Sequence, residues 1–332
     1  MVEHYIDRIL SSISVEKIKS WSYEDGLLRK AIFDLYRATN KDKYYEFVLQ
    51  YYQDMITEDG QIRFFKDVEN PFVAGLPLFD VYEYTEQEKY RLAIEQLAAT
   101  IRSMPRNEEG FFLELSGETL SLDKSFKILL FYAKYAYLIQ DESMLSDMKK
   151  QFLGFLKTNY LPEKKLYSDR SLKVGNTIRW VGGMGFLAVA LVDVLSFYFD
   201  PELASMFQQL IEGLDDYKHN YMWFQIVDQP TLKDNFVEVS GTFMLCYAYL
   251  KGAKYNLLSP KYYINGIDIY QQTRSRYFEE DKEEWHLKEI HPLKDKSNVK
   301  EVDYLALPCV LDDVDGVAPF ILIYAQLKKG SK

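Results

Sequence analysis

LYRATNKDKYYEF, residues 35–47, closes one helix, turns on Thr-Asn-Lys and opens another. The apolar positions before the turn (AIFDLYRAT) and after it (VLQYYQDMI) recur with the 3.6-residue period of a helix face. The segment therefore reads as the tip of an αα-hairpin. VYEYTEQEKYRLA at 81–93 repeats the pattern, with Tyr, Thr and Lys-Tyr in matching places, and AYLIQDESMLSDM at 136–148 and LSFYFDPELASMF at 195–207 follow. YLKGAKYNLLSPKYY at 249–263 supplies a fifth stop and restart. Units of about 45–60 residues are long enough for one helix pair each, and six of them account for 332 residues. The expected fold is all-α, an (α/α)6 toroid of six hairpins forming a single domain over 1–332, with an open superhelical solenoid as the rival. Unequal hairpins and connectors that do not repeat favour the closed ring. FFLEL (111–115) and VDYLALPCVL (302–311) are the best short strand candidates.

Between hairpins run long irregular connectors, 58–72, 102–122, 160–181, 220–237 and 274–315, which hold six of the ten Pro and three of the four Trp. Long loops gathered on one face of a rigid scaffold are where function usually resides.

Composition narrows the function classes. Apolar residues make up 48% and aromatics 16%, with 27 Tyr and 21 Phe, enough for a large core and for an aromatic-lined groove. A net charge of −10 argues against nucleic-acid binding through a global basic field. No apolar run reaches a membrane span, and MVEHYIDRILSS lacks a signal-peptide core, so a cytoplasmic protein with no membrane partner is expected. Cys246 and Cys309 both lie in apolar surroundings and read as buried core thiols. The four histidines show no metal spacing, and no phosphate loop, zinc signature or nucleophile elbow occurs. Neither a metal nor another cofactor is expected. The charge run at 279–284 reads as solvated surface.

Five segments, in order, resemble the unsaturated rhamnogalacturonyl and glucuronyl hydrolases of glycoside hydrolase families 105 and 88: WSYEDGLLRKAIFDLYRATNKDKYYEFVLQYYQDMITEDGQI, KDVENPFVAGLPLFDVYEYT, PRNEEGFFLE, VDQPTLKDNFVEVSGTFMLCYAYLKG and DDVDGVAPFILIYAQ. The resemblance implies a six-hairpin toroid acting on an oligosaccharide whose terminal uronic acid carries a C4=C5 double bond. An Asp protonates C4, water adds at C5, and the hemiketal opens to release the saccharide. This differs from paired-carboxylate attack at the anomeric carbon.

Carried across residue by residue, the resemblance implies Asp123, eight residues before Phe131, as the acid/base, with helix capping as its structural alternative. Asp67 in KDVENP falls on a second family Asp near the reacting ring, again with a cap as the alternative. Trp180 and Trp223 match family tryptophans, as sugar platforms or as core, and Asp228 and Glu238 follow the same pattern. The sequence also departs from it. WVGGMGF replaces the family's Trp-Ala-Arg-Gly-Asn-Gly-Trp, so Gly182, Met184 and Phe186 stand where Arg, Asn and Trp are expected. Asp169 in LYSDRS stands at a family His and is kept, by that position, as a substrate-binding candidate; Leu113 stands near another family His, and Asp25 at a family Asn. A cation from the same loop, Arg179, Arg170 or Lys173, could take over from the missing Arg. The expectation is a hydrolase with a shifted saccharide preference. A non-catalytic saccharide- or protein-binding relative and a different toroid enzyme are the alternatives, and the oligomeric state is left open.

Overall fold

The computed structural model describes residues 2–15, 20–65, 71–174, 178–281, 284–292 and 304–329. Twelve α-helices organise them: α1 (Val2–Val15), α2 (Tyr23–Thr39), α3 (Asp42–Met55), α4 (Pro71–Thr85), α5 (Glu88–Arg102), α6 (Leu130–Leu138), α7 (Glu142–Thr158), α8 (Val181–Leu195), α9 (Pro201–Asp215), α10 (Val239–Lys254), α11 (Lys261–Tyr277) and α12 (Val314–Lys329). The even-numbered helices pack in sequence, α2 on α4, α4 on α6, then α6, α8, α10 and α12, and α12 returns to α2. The fold is a closed (α/α)6 toroid.

Burial separates the two rings. Every residue of α8 is buried, as the interior wall of a barrel requires. The outer α5 buries only Tyr90, Ala93, Ile94, Leu97, Ala98 and Ile101, a single stripe at helical spacing. Inner helices pack closely where a small residue allows it. A Cβ on Gly26 would stand 2.3 Å from the Val73 carbonyl, so α2 and α4 meet there backbone to backbone.

Inner and outer helices are joined by short turns, and four of them, all but the α8–α9 turn, are built to one plan. Asn40, Glu86, Gln140 and Asn256 each take a left-handed conformation, with φ from 53° to 56°, just past the ends of α2, α4, α6 and α10. That conformation terminates a helix and reverses the chain. Two outer helices, α7 and α9, start on side-chain caps: Asp141 accepts from the Met144 N–H, and Asp200, followed by Pro201, accepts from the Glu202 and Leu203 N–H groups.

The sixth unit differs from the sequential hairpin that the repeat suggests. Its inner helix is α12 and its outer helix is α1, from opposite ends of the chain. The Tyr5 ring packs edge-on against Phe320 with centroids 6.2 Å apart. Its hydroxyl donates to Asp312, which also accepts from Arg8 and the Leu287 N–H. A ring must bury the exposed flank of its last inner helix, and the N-terminal helix does so.

Strands are short, as expected. β1 (Tyr160–Leu161) pairs with β2 (Leu166–Tyr167), β3 (Trp223–Phe224) with β4 (Val237–Glu238), and β5 (Phe278–Asp281) with β6 (Glu284–Leu287). The two strand candidates read from sequence form only isolated bridges, Arg106 with Phe112, Leu113 with Thr119, and Val310 with Ile290. Cys246 is buried, but Cys309 is exposed, because its segment crosses the surface on the way to α12. Among the described residues no helix is long and apolar enough to cross a membrane.

Candidate active site

The long connectors enter the inner helices at their N-terminal ends, so one mouth of the toroid carries the loops and the other carries the short turns. Asp123 lies at the loop mouth, in the turn before a π-helical segment, Ser125–Leu129, that leads into α6. It is 5% exposed. Its Oδ2 lies 2.8 Å from Lys127 Nζ, one turn along the same segment, and its Oδ1 lies 2.6 Å from Ser121 Oγ. The same hydroxyl stands 2.7 Å from Glu114 Oε1, which also accepts the Ser121 N–H. One hydroxyl proton thus stands between two carboxylates. Burial alone would raise the Asp123 pKa, but the charges of Lys127 and Lys124 and the bonds from Lys127 and Ser121 outweigh it. The Asp123 carboxyl is held ionised, well below the usual carboxylate range.

Asp169 is the opposite case. The 160–181 connector is pinned beside Asp123 by the Leu122 N–H, which donates to the Asp169 carbonyl at 3.0 Å. The Asp169 side chain is 4% exposed, and its Oδ2 accepts from the Tyr304 hydroxyl at 2.6 Å. Its Oδ1 is buried with no hydrogen-bond partner among the described residues. Burial, then the charge of Asp123, pushes the Asp169 pKa up to about 7. Two buried carboxyls thus lie at one place with their pKa values pushed in opposite directions.

Trp180 lies beside them. It is 3% exposed, with its ring 5.6 Å from the Tyr304 ring and its Nε1–H donated to Gln225 Oε1. Gln225 in turn donates to the Tyr304 carbonyl. The indole lies across the start of α8, where a Cβ on Gly182 would come within 2.4 Å of the ring. A side chain at Gly182 would therefore displace Trp180 from its inward seat. In this conformation Trp180 offers no open ring face to a sugar.

Trp223 is fully buried away from the pair. Its Nε1–H donates to the Leu214 carbonyl, and its ring packs on Tyr249, so it serves the core between α9 and α10. Arg179 is held by Asp228, 2.9 Å from Nε to Oδ1, with Lys164 on the other oxygen. Arg170, 7% exposed, reaches Glu118 at 3.1 Å. Met184 and Phe186 fill the barrel interior, where Phe186 meets Phe126 at 5.6 Å. Glu238 caps α10 through the N–H groups of Ser240 and Gly241, and burial pushes its pKa to about 7. Asp25 pairs with Arg29 at the start of α2. Asp67 lies outside the described residues. No group of three or more His, Cys, Asp or Glu side chains among the described residues is arranged to hold a metal ion.

Sequence reasoning missed Lys127, Ser121 and Tyr304. The i, i+4 spacing of Asp123 and Lys127 is a visible signal for an ion pair. Tyr304 reaches Asp169 across 135 positions, and no local pattern announces that contact.

The model of Glycosyl Hydrolase Family 88 matches residues 1–281. A 24.9 kDa protein of the picA locus of Rhizobium radiobacter is 26% identical over 164 residues, 44% of this chain and 70% of that protein. The fold is shared with a Clostridium acetobutylicum glycoside hydrolase of family 105, 23% identical, covering 99% of this chain and 100% of that one with a TM-score of 0.86. It is also shared with a possible family 105 member from Klebsiella pneumoniae, 18% identical over 94% and 83% of the two chains, TM-score 0.80. An unsaturated glucuronyl hydrolase from Bacillus sp. GL1 is 13% identical over 92% and 86%, with a TM-score of 0.64. The family match runs unbroken through the loops that bring Asp123 and Asp169 together, and the chain is accordingly a glycoside hydrolase belonging to glycosyl hydrolase family 88.

Proposed function

We propose that the enzyme hydrates the C4=C5 bond of a terminal unsaturated uronic acid on a lyase-generated oligosaccharide, with Asp169 and Asp123 as the working pair. The observation that carries this reading is the placing of two buried carboxyls side by side, Asp123 against the Lys127 ammonium and Asp169 against only a neutral tyrosine hydroxyl. A vinyl ether needs a proton at C4, and a carboxylic acid titrating near 7 holds one at neutral pH. Asp169 is therefore the donor, in the acid/base role that the resemblance gives to Asp123. The C4=C5 electron pair takes the Asp169 proton, and positive charge develops at C5 and the ring oxygen. The Asp123 carboxylate, kept ionised by Lys127, stabilises that charge. Water bonds to C5 and returns a proton to the Asp169 carboxylate. The hemiketal then opens, breaking the bond from C5 to the ring oxygen, and collapse at C1 frees the rest of the saccharide as an alcohol. Tyr304 orients Asp169 throughout.

The test is decay of the ultraviolet absorbance of the conjugated uronate on galacturonyl- and glucuronyl-ended unsaturated disaccharides. Decay with the wild type that falls by about 10²–10⁴ in kcat for Asp169→Asn supports the assignment. Full activity in Asp169→Asn, with loss only in Asp123→Asn, would return the donor role to Asp123. No decay with any unsaturated substrate sinks the hydration chemistry.

A further inference from the structure

The mouth opposite the loops opens into a cavity of about 860 Å³, within the range of small-molecule sites. It is walled mainly by the C-terminal parts of α2, α4, α6, α8 and α10, with the first turn of α7. The catalytic mouth does not reach it, because buried Phe126, Phe186 and Met244 close the barrel interior between the two ends.

Its floor is polar and fixed. Asp193, 4% exposed, accepts from Tyr247 Oη and Lys251 Nζ at 2.7 Å each and pairs with Lys30 at 2.8 Å. Asp80, 8% exposed, holds Arg37 at 2.9 Å. Lys134 Nζ stands 3.7 Å from the same Asp80 oxygen, beyond hydrogen-bond length, and 5.4 Å from the Phe79 ring. The rim is aromatic. Tyr137, 50% exposed, lies 5.2 Å from the Phe197 ring, and Tyr255, 49% exposed, lines the cavity just past the end of α10.

Five carboxylates and four cationic side chains line the cavity. The converging C-termini of the inner helices add partial negative charge. An anion gains nothing from that field, and a bare cation meets Lys134 and Arg37. A neutral ring with many hydroxyls fits. Its apolar face stacks on tyrosine, and its hydroxyls donate to carboxylates and accept from Lys and Arg. We propose that this cavity is a second saccharide site, selective for neutral sugars and separate from the catalytic mouth. The proposal stands on this cavity alone and does not depend on the assignment of Asp169.

Titration calorimetry with neutral methyl glycosides and neutral disaccharides at about 10 mM reads the site directly. The expected result is saturable binding, weakened about tenfold or more in Tyr137→Ala/Tyr255→Ala and unchanged in Asp169→Asn. Both tyrosines are half-exposed, so the double variant keeps the fold, and its unchanged Tm verifies this. Lys134→Met serves as an independent second variant and is expected to weaken the same binding. Three results overturn the proposal: no binding of any neutral sugar, binding that survives both variants, and preference for a uronate or an organic amine over its neutral counterpart.

Discussion

Asp169 and Asp123 share burial and differ in partner. Lys127 stands beside one, and a neutral tyrosine hydroxyl beside the other. Removing the Asp123 charge in Asp123→Asn lowers the pKa of Asp169, because a like charge no longer opposes ionisation. The limb of the pH–rate profile on which activity falls with rising pH should then move to lower pH. An unmoved limb would show that the two carboxyls do not interact. The same raised pKa has a stability consequence. Folded Asp169 keeps its proton up to about pH 7, while the unfolded chain releases it near the ordinary carboxylate range. The contribution is fully present below that range and is lost as pH rises through 7, with a slope of at most about 1.4 kcal/mol per pH unit in the window. Thermal unfolding of Asp169→Asn followed between pH 4 and 8 should lack this component. The site was legible in the sequence only in part. Asp123 could be reached through motif register, but Asp169 appeared there as a departure from the family pattern, and its raised pKa comes from burial and then from the nearby Asp123 charge, which no local spacing shows. No spacing could tell that Trp223 is core, since an indole in a loop serves a core and a sugar equally well.

At the scale of elements, the hairpins were legible because helix period and turn chemistry repeat together. Asn40, Glu86 and Gln140 occupy the left-handed position in three of the segments whose likeness defined the repeat. The start of α8 was not legible in this way. Its glycines look like a loop signal, yet Gly182 lies inside a buried helix and accommodates the Trp180 ring. Gly182→Ala should destabilise the protein by about 1–3 kcal/mol, the usual cost of overpacking. The same substitution in a Trp180→Ala background should cost far less, and the coupling is read from a double-mutant cycle in urea. Additive effects would mean that the indole does not sit where described.

The whole molecule is a ring closed by its two ends, which the repeat arithmetic did not reveal: six units were expected in succession, and the last is assembled from α12 and α1. Tyr5 carries much of that closure, 1% exposed between Phe278 and Phe320. Tyr5→Ala should cost about 3–5 kcal/mol, measured as a loss of Tm, in the manner of other large aromatic truncations. A shift within the error of the measurement would mean that α1 is not part of the cooperative unit.

At that seam Glu3 accepts from Lys41, in the α2–α3 turn, at 2.6 Å and lies 3.4 Å from the Tyr324 hydroxyl near the end of α12. The start of α1 and the end of α12 therefore meet at the same mouth as the short turns, where a sixth turn would stand. The covalent order of the ring is then interchangeable. A peptide linking the two ends would complete the turn, and new termini could be cut at Asn40 or Asn256, giving a circular permutant with the same barrel and a different first residue.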